Sequence, residues 1–496
     1  MSTTVSYRPA DGQVAGAVED STPEQVAAVV TRAATAATAT ATASPAERAA
    51  WLGAVATALT DHAEELARLA DTETGLGLVR LTGEVARAAA QLRFYASVGI
   101  EGSWLGVTVD GATDTSPRLV RVNQPLGPVA VFGASNFPFA FGVLGNDTAS
   151  ALAVGCPVVA KAHPAHVLLS VRLAELASDA LAAAGAPDGA FGLVVGMDAG
   201  TALVCAPGIS AVGFTGSQAG GLALWRLANE RDIVIPVYAE MGTVNPAVMT
   251  AGARGRLEDV ARGFVGSFTL GSGQFCTKPG MLLAPAGGDV ADAVGRALVE
   301  AAPSPVMLTE RIAASAAAGV ERLVGAGARE VARTSGAGAG WSADAVVLAA
   351  PASALHPGSP LLEECFGPVA VVVEYDDPAD RDRAIGALQG SLAGTVVTDG
   401  SGADPEAGAL VARLARQVGR VTVDDWPTGV AWTWAQQHGG PWPATSAPAA
   451  TSVGAAALGR WVRPVCFQSV PDALLPPAAR EDNPWRVPRR VDGELR

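Results

Sequence analysis

The feature that most constrains this chain is a series of short apolar runs separated by helix-like segments. The runs are GPVAVFGA (127–134), CPVVAKA (156–162), AFGLVV (190–195), AVGFTG (211–216) and IVIPVYAE (233–240). Such runs suit strands buried on both faces. Ala/Leu-rich segments near 141–154, 167–185, 197–206 and 217–230 lie between them. Parallel neighbours need a crossover, usually a helix, so this alternation predicts βαβ units and a doubly wound α/β sheet. A second series predicts a further α/β unit: PAVMT (246–250), GMLLAP (280–285), AVVLA (345–349), PVAVVVEY (368–375) and AGTVVT (393–398).

Two helices are expected over 22–70. Thr22-Pro23-Glu24-Gln25 and Ser44-Pro45-Ala46-Glu47 both have the form of a capping box with Pro at the first helical position. The Ala-rich run 33–43 reads as helix despite its threonines, and 82–98 as a further helix. Residues 104–126 alternate around Asp110-Gly111, which predicts a two-stranded ribbon that packs on another element or subunit. RPVCFQ (463–468) reads as an edge strand in an otherwise irregular tail. The expected division is therefore 1–103 with 127–240, then 241–430, with 104–126 and 431–496 as ribbon and tail. At 496 residues and 49% hydrophobic, the chain can bury more than one core.

Lys and Arg number 34 against 48 Asp and Glu, a net charge of −14 with His neutral, which argues against nucleic acid or an anionic membrane as partner. The five Cys include no C-x-x-C pair, so neither a disulfide framework nor a metal site is expected. The opening MSTTVSYRPADG lacks a basic stretch followed by an apolar run, and no apolar stretch is long enough to span a bilayer. A cytoplasmic location is expected.

Four segments carry chemistry. In GSGQFCTKPG (271–280) small residues surround Cys276, so a tight turn can aim backbone N–H groups at its sulfur. Such donors favour a thiolate and can hold an oxyanion. A buried, inert Cys is the more common case, and Cys156 and Cys205 fit it. In AEMGTVNP (239–246) Glu240 ends a buried strand, where α/β sheets bind ligands, and is a candidate general base. In GASNFPFAF (133–141) Asn136 offers a neutral amide for an oxyanion hole, or else caps a turn. GFTGSQAGG (213–221) runs from strand through a Gly-rich turn into a helix, which brings backbone close to a phosphate. Lys161 adds a cation near the same sheet edge.

These segments, with AKAHP and EECFGP, occur in the order found in the aldehyde dehydrogenase superfamily, and the resemblance covers about residues 20–470. It implies a nicotinamide-binding domain (1–103, 127–240), a catalytic domain (241–430) and a ribbon that pairs subunits into a homodimer or homotetramer. It makes Cys276 the nucleophile, Glu240 the base and Asn136 the side-chain donor to the oxyanion. It places Lys161 at the cofactor ribose, Gly216, Ser217 and Gly221 near the pyrophosphate, and Glu364 and Phe366 at the nicotinamide ribose and ring. Many NAD-preferring relatives carry a Glu where this chain has Pro164. Without that carboxylate NADP is expected to serve at least as well as NAD, with Lys161 and His163 near its phosphate.

KAHPAH, AEMGTVNP, GQFCTKPG and HGGPWPAT (438–445) are similar to 2-oxoglutarate semialdehyde (2,5-dioxopentanoate) dehydrogenases, and also to NADP-dependent fatty-aldehyde dehydrogenases. A dicarboxylic product requires a cation for its distal carboxylate, and the sequence does not show which Arg supplies it. Trp426, Trp432, Trp434 and Trp442 divide between lining a substrate tunnel and packing a subunit interface. A CoA-acylating enzyme is disfavoured because it would not use the hydrolytic base Glu240. A catalytically silent NADP-binding protein is disfavoured because every catalytic position is filled.

Overall fold

The structure, a computed structural model, describes residues 2–496. An antiparallel hairpin opens it, β1 (Thr3–Tyr7) and β2 (Val14–Glu19). The hairpin was not anticipated. Its strands are largely exposed, and it is held from outside, with Gly16 close against Leu168.

Four helices follow: α1 (Pro23–Thr42), α2 (Pro45–Asp61), α3 (Ala63–Thr74) and α4 (Leu78–Glu101). Three of them occupy the stretch where two were expected, because the chain breaks at His62 (φ −107°, ψ 17°). Both capping boxes form. The Thr22 hydroxyl accepts from Gln25 N while Gln25 Oε1 accepts from Thr22 N at 2.8 Å, and Ser44 and Glu47 repeat the exchange. Threonines of α1 donate to carbonyls four residues earlier (Thr31 to Ala27, 2.8 Å; Thr35 to Thr31, 2.9 Å), so their hydroxyls do not interrupt the helix.

The ribbon strands β3 (Val107–Asp110) and β4 (Leu119–Pro125) pair antiparallel, joined by the loop 111–118. Next comes the first α/β unit: β5 (Val129–Phe132), α5 (Asn146–Val154), β6 (Val158–Lys161), α6 (Val167–Ala183), β7 (Phe191–Val194), α7 (Met197–Cys205), β8 (Ala211–Gly216), α8 (Gln218–Asn229) and β9 (Val237–Met241). Its five strands are all parallel in the order β7-β6-β5-β8-β9, reversing direction about β5 as in a doubly wound sheet.

The second sheet has seven strands. In chain order they are β10 (Pro246–Met249), β11 (Met281–Pro285), β12 (Arg329–Thr334), β13 (Ala345–Pro351), β14 (Val369–Tyr375), β15 (Ser391–Val397) and β16 (Val418–Val423). Helix α9 (Leu257–Thr269) crosses between β10 and β11. The spatial order is β12-β13-β14-β11-β10-β15-β16, parallel except for β12 at one edge. The edge strands β12 and β16 escaped the sequence reading, because both are partly exposed and carry Arg, Glu or Thr among their apolar residues.

Strand β17 (Val462–Gln468) pairs with β4, and β18 (Arg489–Val491) and β19 (Glu494–Leu495) extend the far side of β3. The order β17-β4-β3-β18-β19 leaves β17 at one edge. No helix among the described residues is long and apolar enough to cross a membrane.

Candidate active site

The site lies where two sheet edges meet. The first sheet presents the carboxyl ends of its strands: Asn136 follows β5, Lys161 ends β6, and Glu240 lies in β9. The second presents amino ends: Asn245 precedes β10, Cys276 and Lys278 precede β11, and Glu364 precedes β14.

The Cys276 loop is shaped by its small residues. Gly271, Ser272 and Gly273 are consecutive left-handed residues, with φ of 57°, 62° and 67°. A β-carbon on Gly273 would overlap the backbone of Gly367, so only Gly fits there. The buried Asn245, itself at φ 51°, ties the loop down. Its Nδ2 donates to the carbonyl of Cys276 (2.7 Å) and of Lys278 (3.1 Å), and its Oδ1 accepts from Ala393 N. The fixing role of Asn245 was not foreseen; the only sequence signal was its place in AEMGTVNP.

The geometry brings Cys276, Glu240 and a third residue, His438, together. Their donor atoms all lie within 4.8 Å of one another. His438 Nε2 stands 3.6 Å from Cys276 Sγ and 2.8 Å from Glu240 Oε1. The second oxygen of Glu240 accepts from the Ser452 hydroxyl. Both Glu240 and His438 are almost fully buried, and His438 Nδ1 has no hydrogen-bond partner. Burial raises the Cys276 pKa well above the usual thiol value, and the charges of Glu240 and Glu364 add to this; Arg420 opposes them. The resting group is therefore a thiol, and a base is needed to ionise it.

His438 reaches the site because part of the tail leaves the ribbon. Residues 444–446 run beside β9, with Met241 N donating to Ala444 O (2.9 Å) and Ser446 N to Ala239 O (3.1 Å). The turn back over Glu240 is closed by Ser452 N to His438 O (2.8 Å) and His438 N to Thr451 Oγ1 (2.8 Å). The first half of the tail, assigned from sequence to the oligomerisation element, thus covers the thiol.

Asn136 is buried beside the same loop, its Nδ2 donating to Gln274 O at 2.7 Å. One N–H of the amide remains for a further acceptor. One face of α4 shapes this region. Arg80 donates to Asn136 O (2.6 Å), and Glu84 Oε1 accepts from Phe139 N (3.1 Å) and Ala140 N (3.2 Å). Arg87, one turn on, donates to Val430 O (2.8 Å).

The residues matched to a cofactor gather at the adjoining edge. Ser217 caps α8, accepting from Gly220 N, and Gly221 lies so close to Met241 that a β-carbon would stand 2.7 Å from its sulfur. Gly242 N donates to Gly216 O (3.1 Å), and a β-carbon on Gly242 would overlap the Glu364 carboxylate. Glu364 is thereby brought to the Gly216 turn. Burial lifts its pKa to about 7, partly offset by Lys278, and Oε1 is buried without a partner. Phe366 is half-buried two residues further on. Lys161 is buried with Nζ 3.7 Å from the Met197 sulfur; burial lowers its pKa to about 8, with Asp20 opposing. A buried ammonium facing a thioether, an orphaned carboxylate and a glycine-lined helix start together fit a dinucleotide. His163 stacks on His166, and its Nδ1 accepts from Ala165 N. Burial, then the neighbouring charges, hold it well below the usual imidazole pKa, so it offers an N–H but no cation.

The four tryptophans separate. Trp426 packs on Phe264 in the second core, Trp434 and Trp442 are about half exposed, and Trp432 alone joins Phe137, Phe141 and Val430 beside the thiol.

Residues 2–441 match the aldehyde dehydrogenase family. The chain is 42% identical over 460 residues to alpha-ketoglutaric semialdehyde dehydrogenase 2 of Azospirillum brasilense, covering 90% of this chain and 87% of that one. It is 38% identical over 465 residues to alpha-ketoglutaric semialdehyde dehydrogenase of Acinetobacter baylyi, with the same coverage. Its fold is similar to that of a NAD-dependent aldehyde dehydrogenase from Sinorhizobium meliloti, at TM-score 0.80 and 24% identity over 95% of this chain and 92% of that one. The chain belongs to the aldehyde dehydrogenase family. It is an oxidoreductase that takes an aldehyde to the acid with NAD(P), through the cysteine chemistry typical of that family.

Proposed function

We propose that this enzyme oxidises 2-oxoglutarate semialdehyde to 2-oxoglutarate, with Cys276 as nucleophile and with NADP serving at least as well as NAD. The observation that carries the mechanism is the contact of Cys276 Sγ with His438 Nε2 at 3.6 Å, backed by Glu240. Glu240 is the base, and His438 Nε2, which faces both the carboxylate and the thiol, relays the proton from Cys276 to it. The thiolate attacks the aldehyde carbon, and the new oxyanion is held by the free N–H of Asn136 and the backbone N–H of Cys276. The nicotinamide cofactor, when bound, accepts the hydride that the carbon loses. The resulting thioester is hydrolysed by a water that gives its proton to the Glu240–His438 pair, and the acid leaves as the thiol is restored. A bound dinucleotide would have its pyrophosphate near Gly216, Ser217 and Gly221 at the start of α8, its adenosine ribose by Lys161 with His163 near a 2′-phosphate, and its nicotinamide ribose and ring by Glu364 and Phe366.

The substrate assignment is supported by the two relatives, both named for this semialdehyde. The NADP assignment is supported by Lys161 and by the absence of a carboxylate at Pro164. A cytoplasmic homo-oligomer completes the proposal, because β17 has an unpaired outer edge suited to a second copy. The rings of Phe137, Phe141, Phe275 and Trp432 favour a second reading, an aliphatic aldehyde as substrate. The test is absorbance of the reduced cofactor with NADP or NAD against 2-oxoglutarate semialdehyde, succinate semialdehyde and aliphatic aldehydes of rising length. A long aliphatic aldehyde as best substrate would replace the assignment. A catalytic efficiency with NAD more than about tenfold that with NADP would remove the NADP preference.

A further inference from the structure

Arg87 differs from the other arginines of the described residues in standing over three aromatic rings at once. It is half-buried, yet no carboxylate lies within ion-pair distance of it. Its guanidinium stands over three rings, with centroids 5.0 Å away for Trp432 and 5.7 Å for Phe137 and for Phe141. These rings belong to the apolar cluster beside the thiol, and Phe141 lies 6.4 Å from the His438 ring. Cys276 is among the groups whose charge acts on Arg87. One donor is used on Val430 O, Nε is buried without a partner, and the remaining N–H groups have no partner among the described residues. Glu84, three residues earlier on α4, spends Oε1 on the N–H groups of Phe139 and Ala140 and does not pair with Arg87.

A partly desolvated cation with idle donors favours an anion as its partner. Its planar fork matches a carboxylate, and the rings beneath it fix its orientation. We propose that Arg87 is the specificity-determining residue that receives the distal carboxylate of a dicarboxylic semialdehyde, while its aldehyde end meets Cys276. The aliphatic middle of the substrate then lies along Phe137, Phe141 and Trp432. This rests on the dicarboxylic semialdehyde reading above. Arg420 is the nearest rival, since the charge of Cys276 acts on it too and its Nε is also unpartnered. It is anchored by two carbonyls, Pro427 O and Gly429 O, and has no aromatic cage.

The test compares 2-oxoglutarate semialdehyde with pentanal, its uncharged counterpart of equal chain length, in wild type, Arg87→Met and Arg87→Lys. The ratio of kcat/KM for the two substrates should fall about 100-fold in Arg87→Met, as for a buried charge pair that loses one partner, and recover in part in Arg87→Lys. Glutarate, an unreactive dicarboxylate, should inhibit wild type competitively and lose that inhibition in Arg87→Met. A melting temperature and an NADP affinity at the wild-type level would show that the variant is folded. An unchanged ratio with glutarate inhibition intact would overturn the proposal and leave Arg87 as a tie to Val430. If wild type instead prefers pentanal, the substrate reading fails, and the glutarate arm still decides whether Arg87 binds a carboxylate.

Discussion

Replacing His438 removes the nitrogen that stands 3.6 Å from the Cys276 sulfur. The partly buried thiol has its pKa raised by desolvation and by the charges of Glu240 and Glu364, so a base at hand favours the thiolate. A positioned base contributes roughly 10²- to 10⁴-fold to rate, or about 3 to 5 kcal/mol of barrier at 1.4 kcal/mol per tenfold. His438→Gln keeps volume and a donor but cannot take a proton, so kcat/KM at pH 7 should fall at least about 100-fold. The pH dependence carries the sign. A raised thiol pKa means that the thiolate grows as pH rises, by about tenfold per unit below that pKa. In the variant hydroxide must do what His438 did, so its deficit should shrink toward alkaline pH while wild type stays flatter. The assay is kcat/KM from pH 6 to 9.5, with iodoacetamide alkylation as a second measure of thiolate. Cofactor binding at the wild-type level shows that the fold survives, since the backbone bonds of His438 to Thr451 and Ser452 do not involve its ring. A loss below about threefold at pH 7, with parallel pH profiles, would refute the relay assignment.

Gly242→Ala should displace Glu364, because the new β-carbon would lie 2.7 Å from its Cδ. Efficiency with the cofactor should fall about 10- to 100-fold with little change in melting temperature, read from initial rates at varied NADP. Glu84→Gln should flatten stability against pH. Burial raises the Glu84 pKa from 4.5 to about 6, so its stabilising contribution is complete below about 4.5 and is lost as pH rises through 6. The contribution is on the order of 2 kcal/mol, and thermal melts of both proteins between pH 4 and 7.5 would show whether the wild-type slope exceeds the variant's. Asp147→Asn breaks the buried pair with Arg460 (2.7 Å), which joins α5 to the segment before β17, and should cost about 3 kcal/mol in chemical denaturation.

What the sequence disclosed followed from how local each signal is. Buried parallel strands announce themselves as continuous apolar runs, and every run identified in the two series became a strand. The capping boxes at Thr22 and Ser44 lie within four residues of chain, and both formed. Strands β1, β2, β12 and β16 sit at edges or on the surface, where one face is solvated and the pattern dissolves into polar residues. The structure brings Cys276, Glu240 and Asn136 to one place, and each could be singled out because it sits in a compact motif at a predicted strand or turn.

His438 was not legible in that way, although its motif HGGPWPAT was in view. Its function depends on a contact across 162 residues of sequence, made by a tail with no regular structure of its own. Strand periodicity says which face of a residue is buried; it does not say which distant loop will bury it. The same holds for Arg87. On α4 it is one cation among several, and its significance arises only where Val430 and Trp432, more than 340 residues later, close over it. Both side chains are polar groups buried without a full set of partners, a state that folding alone penalises and that chemistry or a ligand can compensate. Unsatisfied polarity, visible only once the chain is folded, is therefore what points beyond the motifs, to His438 beside the thiol and to Arg87 over the aromatic rings.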